Sequence, residues 1–124
     1  MNIFIYSEDV HEKEKKIFNE ALKDDKLIFG WDLYDETKAK ALFLQADVVF
    51  SGSIPGEWLN EADHLQWLQL ESVGFEPYQP FSKVALKKGI SITNLKGFFG
   101  IPVAETVLGG ILSLYRGLDN LISF

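Results

Sequence analysis

Apolar residues recur along this chain in two rhythms. Short apolar runs alternate with longer stretches in which apolar positions return every three or four residues, the spacing of a helix face. Asn2–Tyr6 (NIFIY) opens the chain as a β-rich run with little alternation, as expected for a strand covered on both faces. Val10, Ile17, Phe18, Ala21 and Leu22 then share one helical face, and Ser7 or Asp9 is placed to cap that helix. Leu27–Asp32 reads as a second strand, weakened by Gly30. Residues 36–45 suit a second helix with Ala39, Leu42 and Phe43 inward. Asp47–Ser51 (DVVFS) is the clearest strand, and residues 55–63 suit a short helix with Trp58 and Leu59 packed. Leu65–Glu71 is a fourth strand ending at Ser72-Val73-Gly74. Residues 77–88 suit a helix stopped by Gly89, and Ile90–Thr93 is a fifth strand.

The last element stands apart. After Asn94-x-x-Gly97 the spacing predicts a long helix with Pro102 as its first residue, where a missing N–H costs nothing. From Pro102 to the end of the chain only Glu105, Arg116 and Asp119 carry charge. A helix apolar on most of its circumference must be covered on most sides.

Strands alternating with helices imply an α/β fold: a flavodoxin-like three-layer sandwich around a five-stranded parallel sheet, with order 2-1-3-4-5 expected. Residues 1–99 form the expected flavodoxin-like domain, and 100–124 the apolar helix and tail. In such sheets ligands bind outside the carboxyl ends of the strands. That rule singles out Tyr6-Ser7, Gly52-Ser53, Ser72–Phe75 and Asn94–Gly97.

Composition narrows the chemistry. The 124 residues are 47 % hydrophobic and 14 % aromatic, enough for a folded core. The net charge of −6 disfavours nucleic acid and anionic membrane as partners. With no cysteine, disulfides, thiolate zinc sites and thiol catalysis are excluded. The N-terminus lacks the basic and apolar regions of a signal peptide, and no apolar run reaches membrane-spanning length, so a cytoplasmic location is the default.

Each candidate residue has a plain structural reading beside the functional one. Ser72, Val73, Gly74 and Phe75 could aim backbone N–H groups at an anion, but an ordinary strand-to-helix turn is the favoured bare reading. Ser53 is read first as a helix cap. Asn94 and Gly97 are common turn residues, and Glu105, placed in the first helical turn, suits the helix dipole. His11 and His64 read as surface histidines, with no partners at metal-ligand spacing. No two glycines stand two residues apart, so the G-x-G-x-x-G dinucleotide fingerprint is absent.

From about residue 46 to 118 the motifs fall in a telling order: Ala46-Asp47-Val48-Val49, Leu65-Gln66-Trp67-Leu68 into Ser72-Val73-Gly74, Gly89-Ile90-Ser91-Ile92-Thr93-Asn94, and Gly97 followed by Val103-Ala104-Glu105. In this the chain resembles the substrate-binding domain of the D-isomer-specific 2-hydroxyacid dehydrogenases. The resemblance implies a flavodoxin-like domain that faces, across a cleft, a Rossmann domain binding NAD or NADP. It implies that the Val-Ala-Glu helix runs between the domains and that the substrate carboxylate is held by backbone N–H groups at Val73 and Gly74. Asn94, Gly97 and Glu105 are then the supporting turn and helix motif. The family often has Ala before that glycine and Asp or Asn two residues after it; here Val73 and Glu76 stand there.

The family's catalytic residues and its dinucleotide fingerprint lie in or beyond the Rossmann domain. The expectation is therefore the N-terminal substrate-binding portion of such an enzyme, with no catalytic, cofactor or metal residue of its own and inactive alone. In the full enzyme, hydride would pass between NAD(P) and a small 2-keto or 2-hydroxy acid. The alternatives are a stand-alone small-carboxylate-binding domain and a self-associating one. Homo-oligomerisation is expected through Val103, Val107, Ile111, Leu114 and Leu118, with Leu121, Ile122 and Phe124 as further contributors.

Overall fold

The computed structural model describes residues 1–31 and 35–121. It forms two compact units, Met1–Asn94 and a second beginning at Leu95.

The first unit carries five strands: β1 (Asn2–Tyr6), β2 (Lys26–Phe29), β3 (Val48–Ser51), β4 (Trp67–Gln69) and β5 (Ser91–Thr93). All neighbours pair in parallel, in the order β2-β1-β3-β4-β5. The register places Phe4, Val49, Leu68 and Ile92 side by side on one face. That face holds the core. Phe4, Val49 and Leu68 are buried there with Phe43 of α2 (Glu36–Gln45), Trp58 and Leu59 of a 3-10 segment (Gly56–Glu61), and Ala85 of α3 (Ser82–Lys88). The Phe43 and Trp58 rings lie 5.5 Å apart and tilted, an arrangement that adds to their area burial.

The other face is covered differently. Phe18 of α1 (Glu12–Ala21) meets Phe29 at 6.3 Å and Phe50 at 5.7 Å between ring centroids. Beyond α1 an apolar groove of about 320 Å³ runs past Ile3, Phe18, Leu22, Val48, Phe50 and Trp67. Trp67 stays 43 % exposed and donates through Nε1 to Thr93 Oγ1 at 2.7 Å.

Local chemistry sets the element ends. Asp35 caps α2, its Oδ1 accepting from Thr37 N at 2.9 Å and Lys38 N at 3.3 Å. Gly89 closes α3 at φ 72°, where a Cβ would be strained.

Several sequence expectations are corrected. The first helix is capped at His11, whose N–H is accepted by Glu14 Oε2; Ser7 and Asp9 do not cap it, because the Ser7 hydroxyl is used elsewhere. Ile17 is exposed, since a residue next to inward Phe18 is turned about 100° away around the helix. The second strand ends at Phe29, and Asp32 lies outside the described residues. Ser53 is not a helix cap: Pro55 precedes the 3-10 segment, and Ser53 N donates to Ser51 Oγ. The helix expected over 77–88 splits into a 3-10 segment (Glu76–Phe81) and α3. Pro77 and Pro80 explain this, since the residue before a proline resists the α conformation and the proline donates no hydrogen bond.

In the second unit, α4 spans Gly100–Tyr115. Pro102 is its third residue, still among positions whose N–H needs no helical partner. Glu105 therefore sits in the second turn, where the dipole argument weakens. Gly117, at φ 66°, ends the helix, so Leu118 belongs to a separate 3-10 turn (Leu118–Leu121) and not to the α4 face. Val103, Val107, Ile111 and Leu114 are all exposed. Ile122 and Phe124 lie outside the described residues. No helix among the described residues is long and apolar enough to cross a membrane.

Candidate functional site

Because every pairing is parallel, the carboxyl ends of the strands share one edge of the sheet. The chain leaves β1 for β2 on one side and reaches β3 on the other, so the order reverses between β1 and β3. Such a reversal opens a crevice between the flanking loops. Ser7 follows β1, Ser51 ends β3, Glu71 lies just past β4 and Asn94 just past β5.

Buried hydroxyls need partners, and these have them. Ser7 is buried; its Oγ donates to Glu71 Oε1 and accepts from Asp9 N at 3.1 Å. This bond spans β3 and ties the end of β1 to that of β4. Ser51 is fully buried and accepts from Ser53 N at 3.1 Å.

The turn after β4 is braced through its carbonyls. Ser72 Oγ donates to Gly74 O at 3.0 Å, and Asn94 Nδ2 donates to Val73 O at 2.8 Å. Among the described residues none accepts a hydrogen bond from the N–H of Val73, Gly74 or Phe75. Three successive donors thus remain for water or a ligand. Val73 is exposed, while the Phe75 ring packs against the core beside Ala85, Ile90 and Ile92. Phe75 therefore offers its backbone rather than its side chain. Gly97, at φ 84°, and Glu105 belong to the second unit.

Tyr78 was not visible as a bracing residue from its spacing. Its buried hydroxyl donates to Ile54 O at 2.8 Å, fixing the segment after the turn to the loop after β3. Burial raises its pKa above the ordinary value. The Ser7–Glu71 pairing was equally hidden, although an acidic residue immediately before a strand-end Ser-x-Gly is a usable signal.

His11 and His64 are both exposed, and no group among the described residues could hold a metal ion. At this edge the side chains supply hydroxyls, an amide and two carboxylates, Glu71 and Glu76. With the backbone donors they suit binding and orientation.

No family model matches this chain, and no curated protein is similar to it in sequence. Solved structures do share its fold. A phosphoglycerate dehydrogenase from Lactobacillus plantarum superposes with a TM-score of 0.60 at 20 % identity, over 95 % of this chain. A D-lactate dehydrogenase from Salmonella gives 0.62 at 21 % over 97 %. A D-lactate dehydrogenase from Lactobacillus jensenii, solved with NAD+, gives 0.62 at 18 % over 97 %. The chain spans only 36–37 % of the length of these proteins. At such identities the likeness is one of fold.

Proposed function

We propose that this chain is the substrate-binding portion of a D-2-hydroxyacid dehydrogenase and holds a small 2-keto or 2-hydroxy acid by its carboxylate at the turn Ser72–Phe75. The observation that carries the reading is the pair of braces from Ser72 and Asn94. They occupy the carbonyls of Gly74 and Val73 and leave consecutive N–H groups unpartnered among the described residues. Hydrogen bonds from backbone N–H to a charged oxygen are stronger than neutral ones. The fold shared with the dehydrogenases and the motif order from Ala46 to Glu105 support the same assignment.

In the full enzyme the reaction would be hydride transfer between NAD or NADP and carbon 2 of the bound acid, and the cofactor would supply the hydride chemistry. This chain's share is to hold the carboxylate and fix the orientation of the carbon it bears. Hydride transfer depends on positioning both reactants, and one wall of a cleft cannot do so. The 124-residue chain alone therefore binds the acid without turning it over.

Calorimetric titration of the chain with glyoxylate or pyruvate tests this. Binding is expected with Kd on the order of 1 mM, about −4 kcal/mol, and is lost in Gly74→Leu. A Gly74→Leu chain that binds as well as the parent overturns the assignment.

A second role rests on α4. Its exposed Val103, Val107, Leu108, Ile111 and Leu114 make an apolar surface of the kind that meets a partner, and we assign it to homo-oligomerisation.

A further inference from the structure

Gly52 and Gly74, which follow β3 and β4, each face a carboxylate of the chain itself. A Cβ built on Gly74 would lie 2.8 Å from Glu76 Oε2. One built on Gly52 would lie 3.4 Å from Glu71 Oε2, while the other oxygen of Glu71 is engaged by Ser7. Neither carboxylate is in an ion pair with a lysine or arginine among the described residues. The turn that offers backbone donors to an anion is therefore flanked by two unneutralised negative charges.

We infer that Glu71 and Glu76 are specificity-determining residues that restrict this site to monoanionic acids with a neutral or hydrogen-bond-donating tail, and turn away dicarboxylates and phosphorylated acids. The inference rests on the carboxylate reading of the turn given above. One carboxylate fits the site because its charge meets the N–H groups of Val73, Gly74 and Phe75 directly. A second charge finds no lysine or arginine paired with Glu71 or Glu76 among the described residues, and it meets those carboxylates instead. A hydroxyl on the tail instead finds an acceptor in Glu71 Oε2. Like charges a few ångströms apart near a protein surface repel strongly enough to weaken binding by about tenfold or more.

The test is calorimetric titration of the 124-residue chain with glycolate and lactate as monoanions, and malonate and 3-phosphoglycerate as multiply charged acids. The parent is compared with E71Q, E76Q and the double variant. Glutamine preserves shape and an acceptor for Ser7, and circular dichroism melts confirm the fold of each variant. The expected result is monoanion binding by the parent with the charged acids about tenfold or more weaker, and a ratio of monoanion to charged-acid affinity that falls stepwise in the variants. Equal binding of all four acids by the parent, or a ratio unchanged in the double variant, overturns the selectivity and leaves the carboxylate site standing. No binding of any acid by parent or variants overturns the site and the selectivity together.

Discussion

The side-chain amide of Asn94, just past β5, donates to the carbonyl of Val73 in the turn after β4 at 2.8 Å. The residue that reads in sequence as a turn former thus braces the neighbouring turn from across the sheet. Asn94→Ala removes the donor and is expected to cost about 0.5–1.5 kcal/mol of stability, the ordinary net value of such a bond. A lowered urea midpoint at unchanged m-value checks this. The same variant should bind small carboxylates more weakly, since the turn loses one of its two braces.

Tyr78 makes stability depend on pH at the alkaline end. Burial raises its folded pKa, so the folded chain keeps a proton that the unfolded chain releases above about pH 10. The contribution is fully present below that pH and is lost as pH rises through the raised folded value. Tyr78→Phe deletes the bond to Ile54 O, costing about 1 kcal/mol at neutral pH. It should also flatten the alkaline decline in melting temperature relative to the parent.

Two glycines are expected to respond in opposite directions to alanine. A Cβ on buried Gly56 would lie 2.6 Å from the Phe81 ring and 2.8 Å from the Pro77 carbonyl, and backbone there cannot give way cheaply. Gly56→Ala should destabilise by about 1–3 kcal/mol. Nothing stands within 4 Å of a Cβ on Gly110, inside α4. Gly110→Ala should stabilise that helix by up to about 1 kcal/mol through propensity alone. Thermal melts of the two variants give the comparison directly.

The exposed face of α4 leads to a concentration-dependent expectation. The chain should sediment as an oligomer, and Leu108→Glu with Ile111→Glu should shift it to monomer while the first unit keeps its melting behaviour. A parent chain that stays monomeric at high concentration removes self-association from the account.

Much of the fold was legible because the strands are short, apolar and separated by amphipathic stretches. The order 2-1-3-4-5 followed from topology rules rather than from any residue. Where reading failed, a local competitor had won. Pro77 and Pro80 tightened the start of an expected α-helix into a 3-10 segment. Ser7 and Ser53 looked like caps, but their polar groups are spent on Glu71 and on Ser51. Contacts such as Ser7 with Glu71 join residues 64 positions apart, and no spacing rule along one sequence registers them. The turn Ser72–Phe75 was legible as a place. Its braces were not, because they depend on β5 lying beside β4.

A small carboxylate held by the backbone donors of the turn Ser72–Phe75 must perturb the amide signals of that turn before any others. Titration of the isotopically labelled chain with glyoxylate, followed by amide nuclear magnetic resonance, should shift Val73, Gly74 and Phe75 downfield and saturably, with smaller changes at Ser72 and Asn94. Amides of that turn that stay still while others move, or a spectrum that does not change at all, would contradict it.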